Sequence, residues 1–215
     1  MKRIVPLLLS LFWPLTAHAA LITEEDRMAF MTANPLAELE DFNFITSDQS
    51  FRNSAVSVND LTFSVTGSTP FASFVYRIDA RPIARVLNIS VENTTQANFG
   101  LTSGTVNTIS FARPVTAFGA DFANLGTSSG RTTISAGGDS IDITSRNPGF
   151  FGFSSATPFS SVSFTSNQIN SVNLIALDNV LYAPVPVPVP VPATLPLLLV
   201  GLGGLVALRR RKRAM

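Results

Sequence analysis

From residue 61 onward, apolar and small polar side chains change places at every second position. Leu61, Phe63 and Val65 are separated by Thr62 and Ser64, Ile109 and Phe111 flank Ser110, Phe118, Ala120 and Phe122 keep the interval, and Val162 and Phe164 enclose Ser163. Successive side chains of an extended strand point to opposite faces, so this pattern sends Phe and Val one way and Ser and Thr the other. A sheet with one dry and one wet face is an antiparallel sheet in most cases. Further runs lie at Leu87, Ile89 and Val91, at residues 131–136 and 139–144, at Phe151 with Phe153, and over 172–181. Gly137-Gly138 between two of these runs is a two-residue hairpin signal. Helix has one entry point. Thr23-Glu24-Glu25-Asp26 resembles a capping box and predicts one short helix over 24–33, ahead of Pro35. Many short strands without intervening helices predict an all-β antiparallel sandwich over residues 20–182 and disfavour an α/β fold.

The two ends obey other rules. Lys2 and Arg3 precede an apolar run over 4–15, and Ala17-His18-Ala19 places small side chains at the two positions that signal peptidase inspects. Residues 1–19 therefore read as an export signal cleaved after Ala19. The run is too short to cross about 30 Å of hydrocarbon, which argues against a retained membrane helix. At the other end, residues 183–192 alternate Val and Pro after Ala183. Proline there removes donors and fixes φ, so an extended spacer is expected. An apolar run over about 193–208 then approaches the minimum length of a spanning helix. Arg209, Arg210, Arg211, Lys212 and Arg213 follow it, a stop-transfer cluster that the positive-inside rule keeps in the cytoplasm. The competing reading, a buried core helix with a solvated basic end, lacks any partner segment to bury it.

Charge and side-chain inventory narrow the chemistry. All 14 acids lie between the basic termini, where eight arginines leave that region at a formal −6, against +1 for the chain. An acidic domain disfavours nucleic acid as a partner, because phosphate binding needs a basic surface. The chain has no cysteine, so no disulfides staple the exported domain. Its one histidine, His18, leaves with the signal, and residues 20–182 contain no lysine. Ser-His-Asp, Cys-His and Ser-Lys systems, lysine Schiff bases and His-rich zinc sites are thereby excluded from the mature domain. A carboxylate pair acting on a glycosidic bond remains chemically open. The expectation is a protein without catalytic activity.

The order of proline motif, apolar helix and basic end resembles the PEP-CTERM family of sorting signals in its VPxPA variant. Val189, Pro190, Val191, Pro192 and Ala193 match the motif, with the helix and the basic end in their places. The sequence departs from the parent pattern in having no Glu between the prolines, and the upstream Val-Pro repeat offers the motif a second register. The resemblance covers the tail, about 189–213. It implies processing by an exosortase, a membrane-embedded cysteine enzyme, in a Gram-negative host that makes extracellular polysaccharide. It also implies anchorage in the inner membrane before processing, and a place at the cell surface or outside afterwards.

Within the domain, the stretches 114–122, 150–153 with 157–164, and 176–180 look like the β-sandwich domains attached to such tails, which are similar to galactose-binding-like jelly rolls. In those, the first and last strands pair within one sheet. That resemblance implies a place for a structural Ca²⁺ ion, with Glu40 or Asp41 near the first strand and Asp178 near the last as hard oxygen ligands. The plainer reading makes these acids turn residues bonded to backbone.

Two roles stay open for the domain. One is a displayed structural or matrix protein, and the other is a carbohydrate-binding module. Seventeen Phe against Tyr76, Tyr182 and a Trp13 lost with the signal weigh toward the first, since sugars are gripped by amphipathic aromatics while Phe prefers burial.

Overall fold

The computed structural model describes residues 21–67, 77–79, 96–126, 131–144, 149–167 and 173–186. The predicted strand around Leu87, Ile89 and Val91 lies outside them, as do the signal segment and the tail. The described chain is mostly antiparallel β-sheet with one short helix, the all-β class that the alternation predicts.

Two long strands organise it. β8 (Thr105–Ala123) and β11 (Gly149–Ser166) each pass through both layers of the molecule. The first part of β8 pairs with β5 (Leu61–Gly67), and β5 with β4 (Val56–Val58). On its other side the same part of β8 pairs with the end of β11, followed by β9 (Thr132–Ala136) and β10 (Asp139–Ile143). These segments make layer one. In layer two, the start of β11 lies between β1 (Ile22–Glu24) and the second part of β8. β12 (Asn173–Pro184) comes next, flanked along its far side by β2 (Glu38–Glu40) and β7 (Gln96–Leu101). β6 (Arg77–Asp79) and β3 (Gln49–Ser50) complete that edge.

The sequence predicts separate strands where β8 and β11 are continuous. Both bend at a proline flanked by exposed residues, Ala112-Arg113-Pro114 in β8 and Ala156-Thr157-Pro158 in β11. The pairing register between the two strands shifts between Ser154 and Ser161. Proline cannot donate to a ladder, so it sits where the ladder is interrupted. The interruption lets each strand change layers without ending.

The layers face each other across phenylalanine. Phe63 of β5 lies 6.2 Å from Phe99 of β7, Phe99 lies 5.3 Å from Phe164 of β11, and Phe164 lies 6.1 Å from Phe122 of β8. Phe42, Phe51, Phe118, Phe153 and Phe159 continue the same buried cluster. Tilted and edge-on ring pairs of this kind contribute about 0.5–1.5 kcal/mol each beyond the area they bury.

The outer face of layer one is the wet one. Hydroxyl side chains run across it in register, Ser64 beside Thr108, Thr108 beside Ser163, Ser163 beside Ser135 and Ser135 beside Ser140. In layer two the alternation fails because both faces are covered, and Ala117, Phe118, Gly119 and Ala120 are all buried. The cover is α1 (Arg27–Ala33), whose Phe30 is fully buried against Ala117, Phe150, Leu181 and Ala183.

The helix starts later than its expected position at 24. Asp26 is the N-cap, its carboxylate accepting from the Ala29 N–H at 2.8 Å. Glu24, which the capping-box reading places inside the helix, pairs instead with Gly152 as the last residue of β1. A side chain three residues ahead of a backbone N–H is what capping requires, and Asp26 supplies it once β1 claims the preceding residues.

Gly137 and Gly138 form the predicted hairpin turn between β9 and β10, with φ of 62° and 94°. Positive φ at both central positions suits the right-handed twist of the flanking strands.

β12 continues to Pro184, so Ala183 and Pro184, the first residues of the Val-Pro run, pair with Ala117 and Val115. The Val185 N–H then donates to the Pro114 carbonyl at 2.9 Å. The chain divides into two units after Val185.

Candidate functional site

The sequence nominates acids beside the first and last strands, and the fold places them around β12. Glu40 ends β2 opposite Val180, and Asp178 stands opposite Asp121 of β8. Just past Asp178 the ladder between β12 and β8 slips, with Asp178 matched to Asp121 but Leu181 to Gly119. Two residues of β12 thus face one of β8, and Asn179 takes the extra position at φ 50°. Asn tolerates that left-handed conformation better than most residues. The bulge turns Ile175 and Leu177 inward before it and Val180 and Tyr182 inward after it.

Each acid has donors. Glu40 is buried, and its carboxylate accepts from the Phe42 N–H at 2.8 Å and from the Asn59 side-chain amide at 2.6 Å. Phe42 at φ 55° and Asn59 at φ 50°, in the turn between β4 and β5, are two non-glycine residues in the left-handed region. Asp41 accepts from the backbone N–H and the side-chain amide of Asn43. Asp178 is 1% exposed and accepts from the Asn179 N–H at 2.6 Å. Asp121 accepts from the Asn179 amide at 2.9 Å and forms an ion pair with Arg27 of α1. Glu40, Asp41 and Asp178 are therefore engaged with different parts of the backbone. Among the described residues no group of three or more His, Cys, Asp or Glu side chains could hold a metal ion.

Sequence reading did not find the second function of this cluster. Arg27 lies over the Phe150 ring at 5.3 Å while bonding Asp121, and Asn34 at the other end of α1 donates to the Ser154 hydroxyl at 3.1 Å. A seven-residue helix cannot hold itself in water. Here it is pinned at both ends and anchored by Phe30 between them. The room for Phe30 comes from glycine, because a Cβ on Gly152 would lie 2.8 Å from the Phe30 ring. Arg27 and Asp121 are 94 residues apart, so no spacing in the sequence announces the pair.

A second polar group marks the bend of β8. Arg113 donates to Glu38 at 3.1 Å and to Asp60 at 2.9 Å. Those bonds, Asp60 first and then Glu38, hold its guanidinium above the ordinary value. Tyr182, buried next to this group, has its hydroxyl pushed well above the usual phenol range. Burial is the main cause, and the negative charges of Glu38 and Asp60 add to it. Through Arg113 these acids join β2 and the β4–β5 turn to β8.

Ala17 and Ala19, the motif Val189, Pro190, Val191, Pro192 and Ala193, and the cluster Arg209, Arg210, Arg211, Lys212 and Arg213 all lie outside the described residues. Among the described residues no helix is long and apolar enough to cross a membrane. Compared with known proteins, the chain matches no family model and no curated relative.

Proposed function

We propose that this chain is an exported envelope protein whose β-layered domain is displayed by a C-terminal sorting tail of the VPxPA type. Signal peptidase removes residues 1–19, the helix over 193–208 anchors the chain in the inner membrane, and an exosortase recognises the 189–193 motif and processes the tail. The domain then resides at the cell surface or in an extracellular polysaccharide layer. The observation that carries this reading is the fixed order of motif, apolar run and basic end within residues 189–213. The orientation follows from the positive-inside bias on five adjacent basic residues.

Features of the fold support a display role over a chemical one. β12 is paired to its end at Pro184, ahead of the 189–193 motif. Asp121 is committed to Arg27, and Glu38 and Asp60 to Arg113. Tyr182 is buried, and Phe44 is the one large exposed aromatic among the described residues, which leaves little for stacking against sugar rings. The first strand, β1, pairs with β11 and it is β2 that lies beside the last strand, so the finer likeness to galactose-binding-like jelly rolls rests on the sequence stretches alone.

The test is fractionation of cells expressing the chain with an epitope after Ala20. The full chain should sediment with membranes, and deletion of 195–215 should release a folded domain. Replacing the five basic residues at 209–213 by Ser should misorient the protein. A truncated chain that still sediments with membranes would refute the sorting-tail reading.

A further inference from the structure

Exposed apolar surface is unevenly distributed. Among the described residues, the large exposed hydrophobics are Ile22, Met28, Met31, Leu36, Leu39 and Phe44, all within a 23-residue stretch. Ile22 pairs with Ser154, which bonds Asn34 of α1, and Leu39 pairs with Leu181, which packs beneath Phe30. Cross-strand partners share a face, so both lie on the outer side of layer two, where α1 rests. Met28 and Met31 belong to α1 itself, and Leu36 sits in the connection from α1 to β2. The opposite outer face carries the hydroxyl rows of layer one. One broad side of the domain is therefore greasy and the other wet.

The greasy side is also where the chain leaves the domain. Glu38 pairs with Tyr182, two residues before β12 ends at Pro184, and Leu36 lies two residues before Glu38. From Pro186, the six residues before Ala193 reach at most about 20 Å in an extended proline-rich conformation.

We propose that this apolar face docks on the surface of a lipid bilayer while the chain is anchored there. The inference rests on the reading of residues 193–208 as a membrane helix. That tether holds the face within reach of the headgroups at high effective concentration, so a small apolar contact suffices. Met and Leu are suited to this because flexible apolar side chains enter the acyl boundary without a preformed pocket. Glu24, two residues beyond Ile22 on β1, shares the face, and Glu25 and Asp26 follow it into α1, so the lipid it fits is zwitterionic, and docking is driven by apolar burial instead of charge.

The chain contains no cysteine, so single cysteines report position cleanly. Met31→Cys, Leu39→Cys and, on the hydroxyl face, Ser163→Cys would each carry an environment-sensitive dye. The full mature chain would be reconstituted into phosphatidylcholine–phosphatidylethanolamine vesicles with and without nitroxide-labelled lipid. Dyes at 31 and 39 should shift to the blue and be quenched by the nitroxide, while the dye at 163 should do neither. Flotation of the same samples reads the anchor separately. Chains that float while all three dyes stay in water would overturn the docking and leave the anchor standing. Chains that do not float would overturn both. A blue shift at 31 without nitroxide quenching, together with energy transfer between chains, would assign the face to a second copy and also overturn the proposal.

Discussion

The closest approach between α1 and the sheet offers a sharp test of how layer two is covered. Gly152 and Gly119 stand side by side under the helix. An added Cβ at Gly152 would meet Phe30 Cδ2 at 2.8 Å, Phe30 Cε2 at 2.9 Å and Gly119 Cα at 3.1 Å. Real Cβ atoms do not approach that closely, so in Gly152→Ala the ring must move. Phe30 has nowhere easy to go, being fully buried with its ring edge-on to Phe150 at 5.3 Å. Overpacking a filled site costs about 1–3 kcal/mol. For a domain of this size each kcal/mol shifts Tm by about 2–4 °C, so Gly152→Ala should melt several degrees below the parent. Phe30→Ala alone should cost about 3–5 kcal/mol, the usual range for a buried ring. The reasoning predicts coupling between the two sites. With the ring gone, the added methyl keeps only its contact with Gly119 Cα at 3.1 Å, and Gly152→Ala in the Phe30→Ala background should cost less than in the parent. Thermal melts of the four proteins, followed by circular dichroism at a β wavelength, complete the double-mutant cycle. Costs that add within about 0.5 kcal/mol would mean that the ring and the glycine do not meet, and the account of α1 as the cover of layer two would fail.

Three further expectations follow from other parts of the fold. Gly138→Val, placed at φ 94° in the β9–β10 turn, should lower Tm by strain alone, and an unchanged melt would show that the turn has another geometry. Tyr182 holds its proton more tightly when folded than when unfolded, so stability should be complete below the ordinary phenol range near 10 and fall as pH rises beyond it. Tyr182→Phe should remove that alkaline loss in pH-dependent melts, and a loss of equal size in the variant would assign it elsewhere. Because Glu40, Asp41 and Asp178 bond to nearby donors, EDTA should leave the Tm of the purified domain unchanged, whereas a fall with EDTA and a rise on adding Ca²⁺ would establish the shared cation.

The fold was legible where one face of a strand is wet. β5 keeps a burial alternation through Leu61, Thr62 and Phe63, and its sequence keeps the same one. β7 is buried at all six positions although it reads Gln-Ala-Asn-Phe-Gly-Leu, so no period marks it, and periodicity cannot reveal a strand covered on both sides. Pro114 and Pro158 read as breaks because proline ends most strands, and here the strands bend and go on. The candidate site was legible only as a list of acids. Asp178 was visible as the acid of the last strand, but its buried place beside a bulge depends on register with β8, which the local sequence does not encode. The clasp of Arg27, Asp121 and Asn179 joins three distant segments and emerges only when β8 and β12 are side by side.

The course of β12 determines how the domain would meet a mechanical load. A pull applied at Pro186 enters that strand along its own axis. β12 is bonded to β8 on one side and to β2 and β7 on the other. Ladder bonds lie across the strand direction, so the force is shared among many of them at once and does not open them one by one. A hairpin peeled from an edge, such as β9–β10, would give way in sequence at small force. A load entering at Pro186 would therefore meet β12 in shear, the direction in which its ladders resist together.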